Sequence, residues 1–343
     1  MFRHVSSRVT TPLFRRTMST ATTMKAIVVE QPGGVDKLLY KDVPIPKAEG
    51  NNVIIKNHAI GVNFIDTYHR TGLYPLPTPF IPGRESAGEV SEVGPEVTEF
   101  KVGDRVVYFG AETYAEYTAA KASGVEKISD QVSYDQAATV GLQALTAWTM
   151  VRDGYPVKKG DVILVHAAAG GVGLLLCQMC RYLGATVIGT VSTAEKAKLA
   201  RENGADYTII YTEEDVVSKV NEITNGLGCH AVLDGVGKDT FEISMACARR
   251  LGTFISFGNA SGVVPPFPVA RLAEKNLKFM RPQLFAYMAT REESKKWWGE
   301  VWDLLANGHI KTHVHKVYDL KDAAQAHVDI ESRKTTGKLL MKP

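Results

Sequence analysis

The sequence predicts an α/β protein in which a β-rich unit is followed by a doubly wound parallel sheet. Three observations carry this. From Met24 to about Trp148 the chain is a series of β-branched runs broken by glycine and proline. From Gly160 onward strand-like and helix-like segments alternate, as a parallel sheet with crossover helices requires. At the junction of the first such pair lies a glycine-rich turn, Ala168–Ala169–Gly170–Gly171–Val172–Gly173. A length of 343 residues suits about two domains. The 45% hydrophobic and 22% charged content is that of an ordinary globular chain and excludes a largely disordered one.

The first 24 residues stand apart. They contain Arg3, Arg8, Arg15 and Arg16, His4 and a Ser/Thr-rich remainder, and the first acid of the chain is Glu30. Arginine-rich, hydroxyl-rich and acid-free is the composition of a mitochondrial transit peptide, with Leu13 and Phe14 beside Arg15 and Arg16 as apolar and basic sides. A start at Met18 or Met24 would instead give a cytosolic form. The chain has 40 basic and 37 acidic residues, and four of the basic ones lie in this leader, leaving 36 against 37. A body charge of −1 gives no electrostatic footprint for nucleic acid.

After the leader, MKAIVVE, NVIIKNHAIGV, ESAGEVSEV and DRVVYF read as strands. Tyr74–Pro82 holds four prolines and is an extended loop. Asp135 to Arg152 has helical spacing. In the alternating part, VILVHAA, ATVIGTVS, DYTIIY, HAVLDGV and TFISFG are strands, whereas TAEKAKLARENG and KDTFEISMACARRLG have helical spacing with glycine stops. The uncharged stretch from Val162 to Cys180 has the length of a membrane span, but His166 and three glycines mark it as buried strand, turn and helix. After Phe285 come a long helix (REESKKWWGEVWDLLANG), a strand (THVHKVYD), another helix and the strand-like GKLLM, which are expected to return to the first unit. The expected division is a leader at 1–24, a substrate domain at 25–147 and 286–343, and a nucleotide domain at 148–285.

The glycine turn is where the chemistry starts. Ala168 takes the place of the first glycine of a dinucleotide fingerprint, and Gly170 and Gly173 take the second and third. Gly170 lets the backbone approach a pyrophosphate, Gly173 lets the helix pack close to the strand, and the helix N-terminus favours the anion. A site for the unphosphorylated ribose wants Asp or Glu at the tip of the next strand. This chain has Ser192 and Thr193 there, with Lys196 one turn further, a hydroxyl and a cation that suit a 2′-phosphate. A solvated helix lysine is the plainer account of Lys196.

HAAAGGVG, together with Asn63-Phe64-Ile65-Asp66-Thr67-Tyr68 and Gly72-Leu73-Tyr74-Pro75, resembles the zinc-free quinone oxidoreductases, the zeta-crystallin-like branch of the medium-chain dehydrogenase/reductase superfamily. GKDTFEIS, SFGNASG, RPQL and ESRKTTGKL are similar to its fungal members. The resemblance covers roughly residues 25–343. It implies a GroES-like substrate domain, a Rossmann domain, NADPH as reductant, an interdomain cleft and a homodimer. By this resemblance Asn63, Asp66, Tyr68 and Tyr74 match the substrate-side motif facing the nicotinamide. Ala169, Gly170, Gly171, Val172 and Gly173 match the pyrophosphate turn, and Ser192, Lys196 and Tyr211 the surroundings of the adenosine 2′-phosphate. Phe257, Gly258 and Asn259 match the strand end by the nicotinamide ribose, and Arg333 a late arginine reaching the cofactor phosphate.

Each assignment has a plainer alternative. Asp66 stands where a helix cap would, Tyr74 can simply pack, and Arg333 lies near a helix end that favours a cation. Zinc members of the superfamily carry Gly-His-Glu where this chain has Gly83-Arg84-Glu85. Cys177 and Cys180 have C-x-x-C spacing on a helix expected to be buried, with no second pair to complete four ligands, so they read as packing. His313 and His315 alternate on one strand face and read as surface residues. The sequence-based expectation is thus a metal-free NADPH-dependent quinone reductase, with reduction of α,β-unsaturated carbonyls as the neighbouring activity. The resemblance also implies binding of AU-rich RNA, for which the chain shows no basic stripe with interleaved aromatics.

Overall fold

The computed structural model describes residues 22–343, and the leader therefore lies, apart from its last three residues, outside the described part. Those last residues are not leader in structure. Thr23 and Met24 open the first strand, Thr23–Val28, which pairs antiparallel with Leu39–Pro44, and Met24 is buried. The boundary expected at 24 thus cuts into a strand, because a methionine facing a core cannot be told from a start codon in a string of letters.

A seven-stranded sheet forms the first layer. Its order runs Val314–Asp319, Lys338–Lys342, Asn52–Val62, Glu85–Val93, Arg105–Phe109 and Val125–Lys127, with Tyr117–Lys121 pairing beside Asn52–Val62. The chain's last two strands therefore sit next to a strand laid down near its start. The second sheet has six strands, all parallel: Tyr207–Ile210, Thr186–Val191, Val162–Val165, Cys229–Asp234, Ala248–Ser256 and Lys278–Met280. In chain order that is 3-2-1-4-5-6, the doubly wound order whose direction reverses between the first and fourth strands. A ligand crevice is expected at that reversal, outside the carboxyl ends of the strands.

Helix Tyr134–Thr149 links the two sheets. Ser133 caps it by accepting from Gln136 N at 3.1 Å, and Gln136 answers with a bond from Ser133 N. It packs on the first sheet and on helices Gly171–Tyr182 and Arg291–Ala306, and 11 of its 16 residues are buried. A helix wrapped by both units needs an apolar surface nearly all round.

One expected helix is shorter than its spacing suggested. KDTFEISMACARRLG holds a helix only over Phe241–Cys247, and Ala248 already belongs to the next strand. The reason is local: Leu251 takes φ +63°, which no α-helix accommodates, while Ala248 pairs with Cys229 across the sheet. Among the described residues no helix is long and apolar enough to cross a membrane.

Candidate functional site

A cavity of about 1000 Å³ lies at the reversal point of the six-stranded sheet and is walled on its far side by the first unit. The glycine turn forms one wall. Strand Val162–Val165 ends, Ala167 swings to φ +51°, and Gly170 N donates to Ala167 O at 2.9 Å before helix Gly171–Tyr182 begins. The left-handed residue of the turn is thus Ala167 and not Ala168, the position matched to the first fingerprint glycine. A Cβ on Gly173 would collide with the Ala167 carbonyl, so glycine is required there for the helix to start this close to the strand. Gly170 caps the helix with no side chain and its first turn carries no acid, which leaves N–H groups open to an anion.

Of the cofactor-side candidates, Ala169, Gly170, Gly171, Val172, Gly173, Ser192, Lys196, Tyr211, Phe257, Gly258 and Arg333 all line the cavity. Lys196 Nζ donates to Arg333 O at 2.6 Å, and Arg333 pairs with Asp239 at 3.2 Å. Arg333 sits at φ +60°, and the loop after it is latched to the glycine turn by Gly337 N donating to Ala169 O at 3.0 Å. Burial lowers the Lys196 pKa from its ordinary value. Glu195 does not line the cavity. Glycines where a side chain would collide, open helix N–H groups and a lysine with a neighbouring arginine form a donor set that fits a dinucleotide carrying a 2′-phosphate.

Two candidates do not reach the cavity. Asn259 is buried behind it, where its N–H donates to Tyr68 Oη at 2.9 Å. With its amide oriented so that both ends are satisfied, Asn259 Oδ1 accepts from Tyr74 Oη at 2.9 Å and Arg281 Nη2 at 3.1 Å, and Nδ2 donates to Gly258 O. Asn259 therefore positions the tyrosines. Asp66 is fully buried on the opposite side of its helix. It accepts from Asn63 N and from Tyr114 Oη, both at 2.9 Å, completing a capping box at the start of helix Phe64–Thr71. The helical repeat explains this: Asp66 is two residues, about 200° of rotation, from Tyr68, so the two cannot share a face.

On the substrate side, Asn63, Tyr68 and Tyr74 line the cavity. The Asn63 side chain is committed inward. Its Nδ2 donates to Glu85 Oε1 at 2.7 Å and its Oδ1 accepts from Lys338 Nζ at 2.9 Å. Glu85 pairs with Lys338, both fully buried, and accepts from Leu142 N at 2.6 Å. A Cβ on Gly61 or Gly141 would occupy the space of that carboxylate. This buried pair ties the strand before Asn63 to the linking helix and the last strand, which sets the wall of the cavity. Tyr68 Oη accepts from Asn259 N, so its own proton is free, and burial raises its pKa to about 12. The rings of Tyr68 and Tyr74 meet edge to face at 5.2 Å.

Several lining residues escaped sequence reasoning. Arg84 donates from Nη2 to His69 Nε2 at 2.6 Å, and His69 Nδ1–H donates to Tyr74 O at 2.9 Å, which fixes a neutral imidazole tautomer. Burial lowers the pKa of both groups. Arg281 donates to Tyr74 Oη at 2.9 Å. Phe109 and Phe285 stack at 4.4 Å and the Arg84 guanidinium lies 5.7 Å from the Phe285 ring centre. Two signals were available, namely the arginine standing in the place of a histidine ligand and the spacing of Ile65, Tyr68 and His69 along one helix face. Cys177, Cys180, Cys229 and Cys247 are free and buried, and their thiol pKa values are raised by burial. His313 and His315 both bond to Thr336 Oγ1 at 3.1 Å. Among the described residues no group of three or more His, Cys, Asp or Glu is placed to hold a metal ion.

Comparison with known proteins agrees with this architecture. Residues 49–140 match the alcohol dehydrogenase GroES-like domain and residues 171–306 the zinc-binding dehydrogenase family. A probable quinone oxidoreductase of Schizosaccharomyces pombe is 45% identical over 314 residues, covering 90% of this chain and 94% of the relative. A 2-haloacrylate reductase of a Burkholderia species is 38% identical over 330 residues, 93% of this chain and 98% of the relative. The crystal structure of Escherichia coli quinone oxidoreductase complexed with NADPH superposes with a TM-score of 0.90 at 42% identity, covering 94% of this chain and all of that one. Aligned over nine-tenths of its length at 42–45% identity and superposing with that structure, the chain belongs to the quinone oxidoreductase family of the medium-chain dehydrogenase/reductase superfamily.

Proposed function

We propose that this protein is an NADPH-dependent quinone reductase. The observation that carries the reading is a single cavity lined by an open phosphate-binding turn, by Lys196 and Arg333, and by a tyrosine with an uncommitted proton. The Gly170–Gly173 turn would hold the pyrophosphate, and Ser192, Lys196, Tyr211 and Arg333 would hold the 2′-phosphate. Phe257 and Gly258, which line the cavity, would flank the nicotinamide ribose. Bound there, NADPH supplies a hydride to the acceptor.

On the substrate side, Tyr68 donates its O–H to the acceptor oxygen on which negative charge develops, a preorganised interaction that strengthens in the transition state. Its raised pKa keeps it a donor throughout the neutral range. Asn259, Tyr74 and Arg281 hold Tyr68 in place, and Asn63 shapes the wall through Glu85 and Lys338. The anion left when a quinone accepts hydride spreads its charge over an aromatic ring and takes its remaining proton from water, so no dedicated acid is needed.

Within the family, the SFGNASG and ESRKTTGKL stretches and the S. pombe relative support a zeta-crystallin-like protein of fungal type. The same kinship supports a homodimer, and the acid-free leader supports delivery to mitochondria, with Met18 or Met24 as starts for a cytosolic form. Reduction of α,β-unsaturated carbonyls is the second reading, favoured by the 38% identity to a 2-haloacrylate reductase. The deciding measurement is kcat/KM for NADPH oxidation with 1,4-naphthoquinone, 9,10-phenanthrenequinone, an enone and an aliphatic aldehyde, after dialysis against a chelator. Quinones are expected to be fastest and unaffected by chelation. Aldehyde turnover equal to the quinones, or loss of activity on chelation, would reject the mechanism, and a faster enone would promote the second reading.

A further inference from the structure

The charges around the cavity are unevenly distributed. Its lining acids, Glu214, Asp215 and Asp239, all belong to the nucleotide side. Each has a partner there: Glu214 Oε2 accepts from Ile210 N at 2.8 Å, Asp215 Oδ1 accepts from Ser218 N at 2.8 Å, and Asp239 pairs with Arg333. The substrate side carries two guanidiniums, Arg84 and Arg281, whose hydrogen bonds go to neutral acceptors. Arg84 donates to His69 Nε2 and, at 3.3 Å, to Gly110 O. Arg281 donates to the carbonyls of Ser256 and Gly258, to Ser256 Oγ and to Tyr74 Oη. Asp66 is the acid whose field reaches Arg84, but its carboxyl is turned to Asn63 N and Tyr114 on the far side of the helix.

A guanidinium has five N–H groups. The bonds of Arg84 use Nε–H and one hydrogen on each terminal nitrogen, which leaves two donors without a protein partner, one on each of Nη1 and Nη2. Terminal N–H groups of this kind are the ones with which arginine binds anionic oxygens. Beside them stands the stacked Phe109–Phe285 pair, a flat apolar wall suited to a conjugated ring. A partly desolvated cation facing such a wall without a counter-charge is unfavourable until an anion joins it.

We propose that the substrate side is an anion-recognition site: the acceptor carries a negatively charged oxygen, a carboxylate or an ionised ring hydroxyl, near its conjugated carbonyl. The free N–H groups of Arg84 bind that oxygen and Arg281, joined to Arg84 through Tyr74 and His69, adds a second positive charge. This deepens the quinone-reductase reading by naming the acceptor class, and it rests on that reading only for the carbonyl chemistry.

Two flat, non-reducible probes of equal size test it: 2-naphthoate and neutral 2-naphthamide, titrated calorimetrically into the full chain with NADP+ present. The naphthoate is expected to bind at least about tenfold tighter, the worth of a charge-assisted hydrogen bond. Arg84→Gln should remove most of that difference, and Arg84→Lys should keep part of it. Equal affinity for the two probes, or a preference that survives Arg84→Gln, would overturn the proposal. If Arg84→Gln fails to fold, Arg281→Gln carries the test, with an expected loss of about threefold in naphthoate preference through the lost charge. A kinetic arm compares 2-hydroxy-1,4-naphthoquinone, an anion at neutral pH, with 1,4-naphthoquinone. The ratio of their kcat/KM values should fall about tenfold in Arg84→Gln, and an unchanged ratio counts against the site. Turnover of neither quinone, with naphthoate preference intact, would sink the quinone reading and leave the anion site standing.

Discussion

A tyrosine hydroxyl that accepts a backbone hydrogen bond keeps its own proton to give. That is the position of Tyr68, whereas the proton of Tyr74 goes to Asn259 Oδ1. Tyr68→Phe is therefore expected to lower kcat for 1,4-naphthoquinone by about tenfold to a hundredfold with little change in KM, at or below the roughly hundredfold to thousandfold loss of an oxyanion donor because the charge spreads over the ring. Tyr74→Phe should cost only about threefold by the same measure. Steady-state kinetics on both variants would decide, and a larger loss at Tyr74 would move the donor role there. At the other end of the cavity, Lys196 offers its remaining N–H groups beside Arg333. Lys196→Glu should weaken NADPH at least about tenfold while sparing NADH, read by fluorescence titration. Equal loss for both cofactors would place Lys196 away from the 2′-phosphate.

Helix Phe64–Thr71 shows how one short element serves two sides. Ile65, Tyr68 and His69 face the cavity, while Asp66 and Arg70 face the core of the first unit. There Tyr114 Oη bridges Asp66 Oδ2 at 2.9 Å and His327 Nε2 at 3.1 Å, and Arg70 reaches His327 Nδ1 and Glu331. Burial raises the Asp66 carboxyl from 3.8 to about 7 and lowers His327 from 6.5 to about 3, with the Arg70 charge adding to the latter. The two act on stability in opposite directions. The folded state holds the Asp66 proton more tightly than the unfolded chain, so this contribution is full below about pH 4 and is lost as pH rises toward 7. Buried neutral His327 contributes above about pH 6.5 and loses its share as pH falls toward 3. Between about pH 4 and 6.5 they offset each other. Asp66→Asn removes one side, so urea unfolding of that variant should show stability climbing with pH across this window, by a few kcal/mol. A flat profile in the variant would mean that His327 does not titrate on unfolding in that range.

Across the whole molecule, the substrate wall is assembled from segments far apart in the chain. The Glu85–Lys338 pair, with Asn63 and Leu142, joins residues separated by more than two hundred positions, and Gly337 latches the final loop onto the glycine turn. Removing one member of such a buried pair leaves an uncompensated charge, typically about 3–5 kcal/mol. At this scale too belongs the proposal that the leader is an address for the whole chain. A reporter fused to residues 1–24 is expected to co-fractionate with mitochondria, and changing Arg3, Arg8, Arg15 and Arg16 to Ser should release it. A cytosolic reporter would favour the start at Met18 or Met24.

Strand–helix alternation, the glycine turn and the hydroxyl-plus-lysine tip were legible in the residues because each is a local pattern. Backbone periodicity and the steric demand at Gly173 act within a few positions; Tyr211, Phe257, Gly258, Asn259 and Arg333 came instead from the family resemblance, and eleven of the twelve cofactor-side candidates line the cavity. The substrate side was read less completely. Asn63 to Tyr68 looked like one motif, but the 100° step of a helix splits it between two faces and sends Asp66 into the core. Asn259, in the loop beyond strand Ala248–Ser256, holds the tyrosines from behind through bonds to residues some 185 to 191 positions away, which no local pattern announces. Arg84, Arg281 and the Phe109–Phe285 pair meet only when strands 85–93 and 105–109 pack against the segment after Met280. Those contacts, and with them the charge of the acceptor site, are set by packing between residues about 175 to 200 positions apart, to which no spacing along the chain corresponds.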